Sequence, residues 1–161
     1  MNTSKTHGLI AASVAALDQV VKMQVRSLPL GNPFFEIPGL VTLEHCVNTG
    51  AAFSMFSGQV WLLTMVSAVL IVMMLFYAHR HLRLTPLAWI AVECLIGGGI
   101  GNLLDRVLFS GVTDYIRLRM IDFPVFNLAD VAIAVSVAVL LVLLFTDTLE
   151  EHVEEKHGSE G

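Results

Sequence analysis

Cysteine is nearly absent from the chain. Cys46 and Cys94 are the only two in 161 residues, too few for a disulfide framework, and both are expected to be free thiols. Charge is scarce as well: Asp, Glu, Lys and Arg make up 14% of the residues, against about a quarter in ordinary soluble domains. No H-E-x-x-H occurs, and His79 and His81, two residues apart, do not share a helical face, which excludes the usual zinc hydrolase pattern. Ser57 and Ser110 each precede a glycine but neither stands in G-x-S-x-G, and Cys94 has no histidine nearby in sequence. No basic stripe with interleaved aromatics appears, which argues against nucleic-acid binding. No internal repeat is visible.

Apolar residues dominate what is present. The chain is 55% hydrophobic with a mean hydropathy of +0.74. Apolar runs cover Leu9 to Val21, Val60 to Ala78, Leu87 to Leu104 and Leu128 to Phe145. Three approach the roughly 20 residues that a helix needs to cross a bilayer core. The first is shorter and interrupted by Asp18 and Gln19. It has some features of a cleavable leader, yet Asp18, Gln19 and Lys22 sit where a cleavage region should be small and neutral, so it reads as a retained helix. The expected fold is an all-α membrane protein with four transmembrane helices. Glu150, Glu151, Glu154, Glu155 and Glu160 account for much of the net charge of -5. They mark residues 148–161 as an acidic, disordered tail beyond a single domain at 1–147.

Four spans put the termini and the loop His79 to Pro86 on one side, and the loops Met23 to Gln59 and Asp105 to Asn127 on the other. Lys5, Arg80, Arg83 and Lys156 then oppose Lys22, Arg26, Arg106, Arg117 and Arg119, a near tie that leaves the cytoplasmic side undecided. In the first long loop, Leu40 to Val47 reads as a strand and Asn48, Thr49 and Gly50 as a turn. Ala51 to Phe56 is expected to form a short interfacial helix. The loop as a whole should make a small extramembrane β platform.

Asp114 and Asp130 lie on that second side, each beside an apolar segment. Carboxylates at a membrane boundary are costly to keep ionised and are functional candidates by default. Two of them sharing one proton can supply a base and an acid to a hydrolysis. The bland reading for Asp130 is a cap on the fourth helix. Asp122, in the same loop but outside every motif, reads as a surface residue.

Five short motifs carry a resemblance. They are D-Q-V-V-K at Asp18 to Lys22, N-T-G-A-A-F at Asn48 to Phe53, G-N-L-L-D-R at Gly101 to Arg106, V-T-D-Y-I at Val112 to Ile116, and F-N-L-A-D at Phe126 to Asp130. In this order and spacing the chain, from about Leu9 to Phe145, closely resembles the lipoprotein signal peptidases, the type II signal peptidases of bacteria. The resemblance implies an aspartic endopeptidase that removes signal peptides from diacylglyceryl-modified prolipoproteins, cutting on the N-terminal side of the lipidated cysteine. By motif the catalytic pair would be Asp114 and Asp130, at the outer face of the inner membrane with both termini cytoplasmic. No cofactor is implied. The implied partners are the lipidated precursor and membrane phospholipid, and the chain is expected to act as a monomer because all site residues come from one copy.

Around the pair, Asn48, Gly50, Asn102, Asp105, Arg106, Asn127, Asp18 and Lys22 are candidate substrate-binding or supporting residues. Each has a plainer reading: a turn at Asn48, an interhelical hydrogen bond at Asn102, a snorkelling cation at Arg106 and an i,i+4 ion pair between Asp18 and Lys22. Gly97 and Gly101 are expected to pack helices closely, with room for acyl chains as the narrower reading. Glu93, inside the third span, and the acidic tail depart from the family pattern. A proton-coupled carrier using the same carboxylates is the alternative from another class, but carriers tend to show repeated halves and midplane sites.

Overall fold

In α1 (Leu9–Arg26), Ala11, Ala15, Asp18, Lys22 and Val25 recur at intervals of four and three and form one buried stripe. Small residues come first along it and charged ones after, so the helix packs closely near its start and makes polar bonds near its end. In this computed structural model residues 8–51, 55–81 and 85–158 are described, with side chains over 8–51, 55–76 and 85–146. Three further helices follow: α2 (Val60–His81), α3 (Pro86–Phe109) and α4 (Leu128–Gly158). Three strands, β1 (Pro33–Ile37), β2 (Val41–Asn48) and β3 (Val112–Leu118), form one antiparallel sheet in the order β1-β2-β3.

α3 is the centre of the helical part and packs against the other three helices. Thr85 caps it by accepting from Ala88 N at 3.3 Å, Pro86 opens it, and Ser110 ends it in the left-handed region at φ 57. Its glycines are where neighbours come closest. A Cβ on Gly97 would meet Ala11 O at 2.6 Å, and one on Gly98 would meet Ala129 O at 2.7 Å. Gly101 faces the Asp18 carboxylate. Missing side chains thus set the approach of α1 and α4 to α3, as helix packing in lipid requires.

Glu93, the departure from the family pattern, has a structural role. Gly8 caps α1 in a left-handed conformation at φ 85, with no side-chain cap of its own. The Glu93 carboxylate accepts from Gly8 N at 2.9 and 3.0 Å and from Ala11 N at 3.1 Å. One helix therefore caps another, and a carboxylate satisfies free N–H groups at a positive helix end.

Two expectations need correction, and a third falls partly outside the described residues. α1 and α3 run past their apolar runs, to Arg26 and Phe109, because the polar residues that end each run find partners on neighbouring elements instead of water. Asp105 and Arg106 are consequently helical and not in a loop. α4 continues to Gly158, through most of the segment read as a disordered tail. That stretch of Glu, Lys, His, Leu and Val lacks Pro, and extending an existing helix is far easier than nucleating one. The interfacial helix expected at Ala51 to Phe56 lies partly on residues 52–54, outside the described ones. Around it the chain turns, with Ala51 N donating to Met55 O at 2.7 Å and Phe56 at φ 55.

Four long helices are present among the described residues. Pro86–Phe109 and Leu128–Thr146 are long and apolar enough to cross a membrane, and Val60–Phe76 is a shorter apolar helix. The sheet sits at the end of the helices where α1 finishes and α4 begins. β2 pairs with β3 over Val41↔Leu118 to Asn48↔Val112, with a register shift between Leu43 and Cys46 that sets Cys46 opposite Asp114. Arg117 pairs with Glu44 across the strands, and Arg119 donates to Thr42 at 2.7 Å. Only the end strand β1 is exposed along its whole length.

Candidate active site

The motif F-N-L-A-D folds into a reciprocal cap. Asn127 Oδ1 accepts from Asp130 N at 2.9 Å, and Asp130 Oδ2 accepts from Asn127 N at 3.1 Å, the capping-box arrangement at the start of α4. The capping reading of Asp130 is therefore correct for one oxygen. Its other oxygen accepts from Asn102 Nδ2 at 2.7 Å.

Asp114 arrives from β3 and is 2% exposed. It accepts from Asn48 Nδ2 at 3.0 Å and from Asn127 Nδ2 at 2.6 Å. Burial pushes its carboxyl up to about 6, with the neighbouring Asp130 charge as the second cause and the two amide donors opposing. Each aspartate thus holds two N–H donors, none of them from a cation.

Both aspartates line one cleft of about 220 Å³ with Asn48, Gly50, Asn102 and Arg106. Phe123, Pro124, Val125 and Phe126 wall it on one side and Ile133 with Ala134 on another. Gly50 N donates to Asn48 Oδ1 at 2.9 Å, which fixes the amide so that its nitrogen faces Asp114. Arg106 Nη1 contacts Asn102 O at 3.4 Å, a weak bond that leaves most of its donor capacity for the cleft. A further hollow of about 260 Å³ reaches Asp114 between Cys46 to Thr49, Ser57 and Pro124. Tyr115, next to Asp114, turns its hydroxyl to accept from Leu128 N at 3.1 Å, and burial pushes that hydroxyl up to about 12.

Asp18, Lys22 and Asp105 do not line the cleft. All three are fully buried behind it. Lys22 Nζ lies 2.9 Å from Asp18 and 3.4 Å from Asp105, and donates to Asn102 Oδ1 at 2.8 Å. Sequence reasoning missed Gln19 and Arg26, which donate to Asp105 Oδ1 at 2.9 and 3.1 Å. The signal was available: Gln19, Lys22 and Arg26 are spaced three and four apart and share a helical face with Asp18. Arg26 also stacks over the Phe109 ring, 4.2 Å from its centroid. Phe123 to Val125 carried no motif and gave no signal.

Helices flanking an acidic cleft beside a small sheet are an architecture that two solved structures share. One bacterial membrane enzyme, determined by the in meso method at 2.3 Å resolution, matches with TM-score 0.81 and 29% identity over 87% of each chain. Another, at 1.9 Å, matches with TM-score 0.77 and 28% identity over 86% of this chain and 92% of that one. The family profile described as signal peptidase (SPase) II matches residues 10–146. Lipoprotein signal peptidase of Streptococcus pyogenes serotype M1 is 36% identical over 135 residues, covering 83% of this chain and 89% of its own. That of Listeria monocytogenes serotype 4b is 34% identical over 142 residues, covering 86% and 92%. The chain belongs to the lipoprotein signal peptidase family, whose members are membrane hydrolases of lipoprotein processing.

Proposed function

We propose that the chain removes the signal peptide from diacylglyceryl-modified prolipoproteins, cutting N-terminal to the lipidated cysteine, as an aspartic endopeptidase with Asp114 and Asp130 as the catalytic pair. The observation that carries the reading is the convergence of these two carboxylates, from a strand and a helix start, on one cleft held by three asparagine side chains. The family supports signal-peptide cleavage itself. The raised Asp114 carboxyl supports its holding the shared proton.

In this mechanism the Asp130 carboxylate takes a proton from water as the water oxygen bonds to the scissile carbonyl carbon. Asp114 gives its proton to the carbonyl oxygen, forming a gem-diol. The proton on Asp130 then passes to the peptide nitrogen as the C–N bond breaks and Asp114 takes back a diol proton. The precursor is divided into signal peptide and a lipoprotein that begins with the lipidated cysteine. Arg106 receives polar oxygens of the diacylglyceryl region or of adjacent phospholipid.

All four helices cross the inner membrane, with both termini cytoplasmic and the sheet at the outer surface. Many apolar residues of α2 and α4 are exposed, among them Trp61, Leu70, Val72, Val135, Val142 and Leu144, and such faces suit lipid. Asp18 and Lys22 of α1 are buried against α3 and do not meet lipid, while the half-buried Arg26 at its end pairs with Asp105. The protein acts as a monomer.

The test is cleavage of a lipidated precursor by purified Asp114→Asn and Asp130→Asn variants. Each should lose at least about a thousandfold in turnover while keeping the wild-type elution volume and thermal transition. Turnover near wild type in either variant excludes the pair.

A further inference from the structure

Lys22 is fully buried and does not line the cleft, and of its polar contacts Asn102 alone does. Its three donors each have an acceptor: Asp18 Oδ2, Asp105 Oδ2 and Asn102 Oδ1. The second oxygen of Asp18 accepts from Ala129 N at 3.1 Å, one residue before Asp130. The oxygen of Asp105 that faces Lys22 also accepts from Thr113 N at 2.8 Å, one residue before Asp114. Two carboxylates held by one ammonium therefore grip the main chain immediately ahead of the two aspartates of the cleft.

The third contact sets the amide between them. With Lys22 Nζ and Asn127 Nδ2 both donating to Asn102 Oδ1, at 2.8 and 3.1 Å, the Asn102 nitrogen must face Asp130. A flipped amide would set its NH2 against an ammonium and another NH2 group. Stability is a poor explanation for such a cluster, because a buried charge group is often no better than apolar residues of the same volume. Its connections to both strand and helix give it another role.

We propose that Lys22 is a positioning residue for peptide hydrolysis: through Asp18 and Asp105 it fixes the separation of Asp130 and Asp114, and through Asn102 it orients the donor on Asp130. The inference rests on the reading of those two aspartates as the catalytic pair. A displacement of about 1 Å between reacting groups can lower a rate roughly a hundredfold. Substrate binding, made elsewhere in the cleft, should hardly change.

The test uses the full chain in lipid–detergent micelles with a lipidated precursor. Lys22→Met combined with Asp18→Asn removes one positive and one negative charge together, so no lone buried charge is created. This variant should lose roughly a hundredfold in kcat with KM within about threefold. Lys22→Arg keeps the charge and the donors, and should recover at least about a tenth of the wild-type kcat. A kcat within about threefold of wild type in the folded double variant overturns the proposal, as does a loss confined to KM. So does a loss that disappears when activity is normalised to the folded fraction, or failure of both variants to fold, since either leaves Lys22 a structural role alone. Asp130→Asn is assayed in parallel. An active Asp130→Asn defeats the catalytic pair itself, whereas an inactive one beside a fully active double variant defeats only the role of Lys22.

Discussion

Asn127 bonds Asp114 through its side chain, Nδ2 to Oδ1 at 2.6 Å, while its main-chain nitrogen donates to Asp130. One residue thus ties the strand aspartate to the helix aspartate and also caps α4. Its two roles separate by substitution. Asn127→Ala should destabilise by about 1 kcal/mol through the lost cap and lower turnover by roughly a hundredfold or more. Asn127→Ser restores a capping oxygen but not the donor to Asp114. Thermal stability should return towards wild type in that variant and activity should not. Recovery of both would show that Asn127 serves the helix alone.

Asp114 makes stability and activity depend on pH in a defined direction. Its folded carboxyl is raised from 3.8 to about 6, so the folded state holds the proton more tightly than the unfolded chain. The associated stability, roughly 3 kcal/mol, is fully present below about pH 4 and is lost as pH rises through about 6. The thermal transition of the wild type should therefore fall between pH 5 and 7.5 by more than that of Asp114→Asn. In the same range kcat/KM should decline on the alkaline side with an apparent value near 6, as the shared proton leaves the free enzyme. Parallel stability profiles for the two proteins would count against a raised Asp114.

Arg106 lines the cleft and, among the described residues, makes one weak hydrogen bond through its side chain. Arg106→Ala should raise KM for lipidated precursor by about tenfold or more, the worth of a charge-assisted hydrogen bond. Melting temperature should move little, and an unlipidated peptide should show a smaller change. An equal loss on both substrates would mean that Arg106 does not read the lipid-bearing region.

Glu93 accepts from two N–H groups at the start of α1, that of Gly8 shared between both its oxygens and that of Ala11. Glu93→Ala should cost about 2 kcal/mol of stability, since it removes both the acceptors and a carboxylate at a helix N-terminus. Glu93→Gln keeps one acceptor and should cost less. Activity per folded molecule should be unchanged in both, as measured by initial rates on protein separated by gel filtration. A selective loss of turnover would extend the site to the other end of α1.

The sequence alone marked where the four helices lie and which polar residues could meet at a site. Hydrophobic runs of near-spanning length mark helices because a lipid or apolar surround leaves the backbone no other way to satisfy its polar groups. The motifs marked Asp114, Asp130 and their asparagines because polar side chains are rare in such a chain. The strand at Leu40 to Val47 was visible within a residue, as Val41–Asn48. β1 and β3 were not, because five to seven residues with mixed polarity show little periodicity, and each becomes a strand only by pairing with β2. Tertiary structure alone decided the direction of each polar residue. Asp105 and Arg106 are adjacent in sequence, yet the first is buried against α1 and the second lines the cleft, because neighbours on a helix point about 100° apart. Likewise nothing in the order of residues says that Asp18 reaches Ala129 or that Glu93 caps α1. Those bonds join residues more than 80 positions apart, and only the packing of α1 and α4 against α3 brings them within reach.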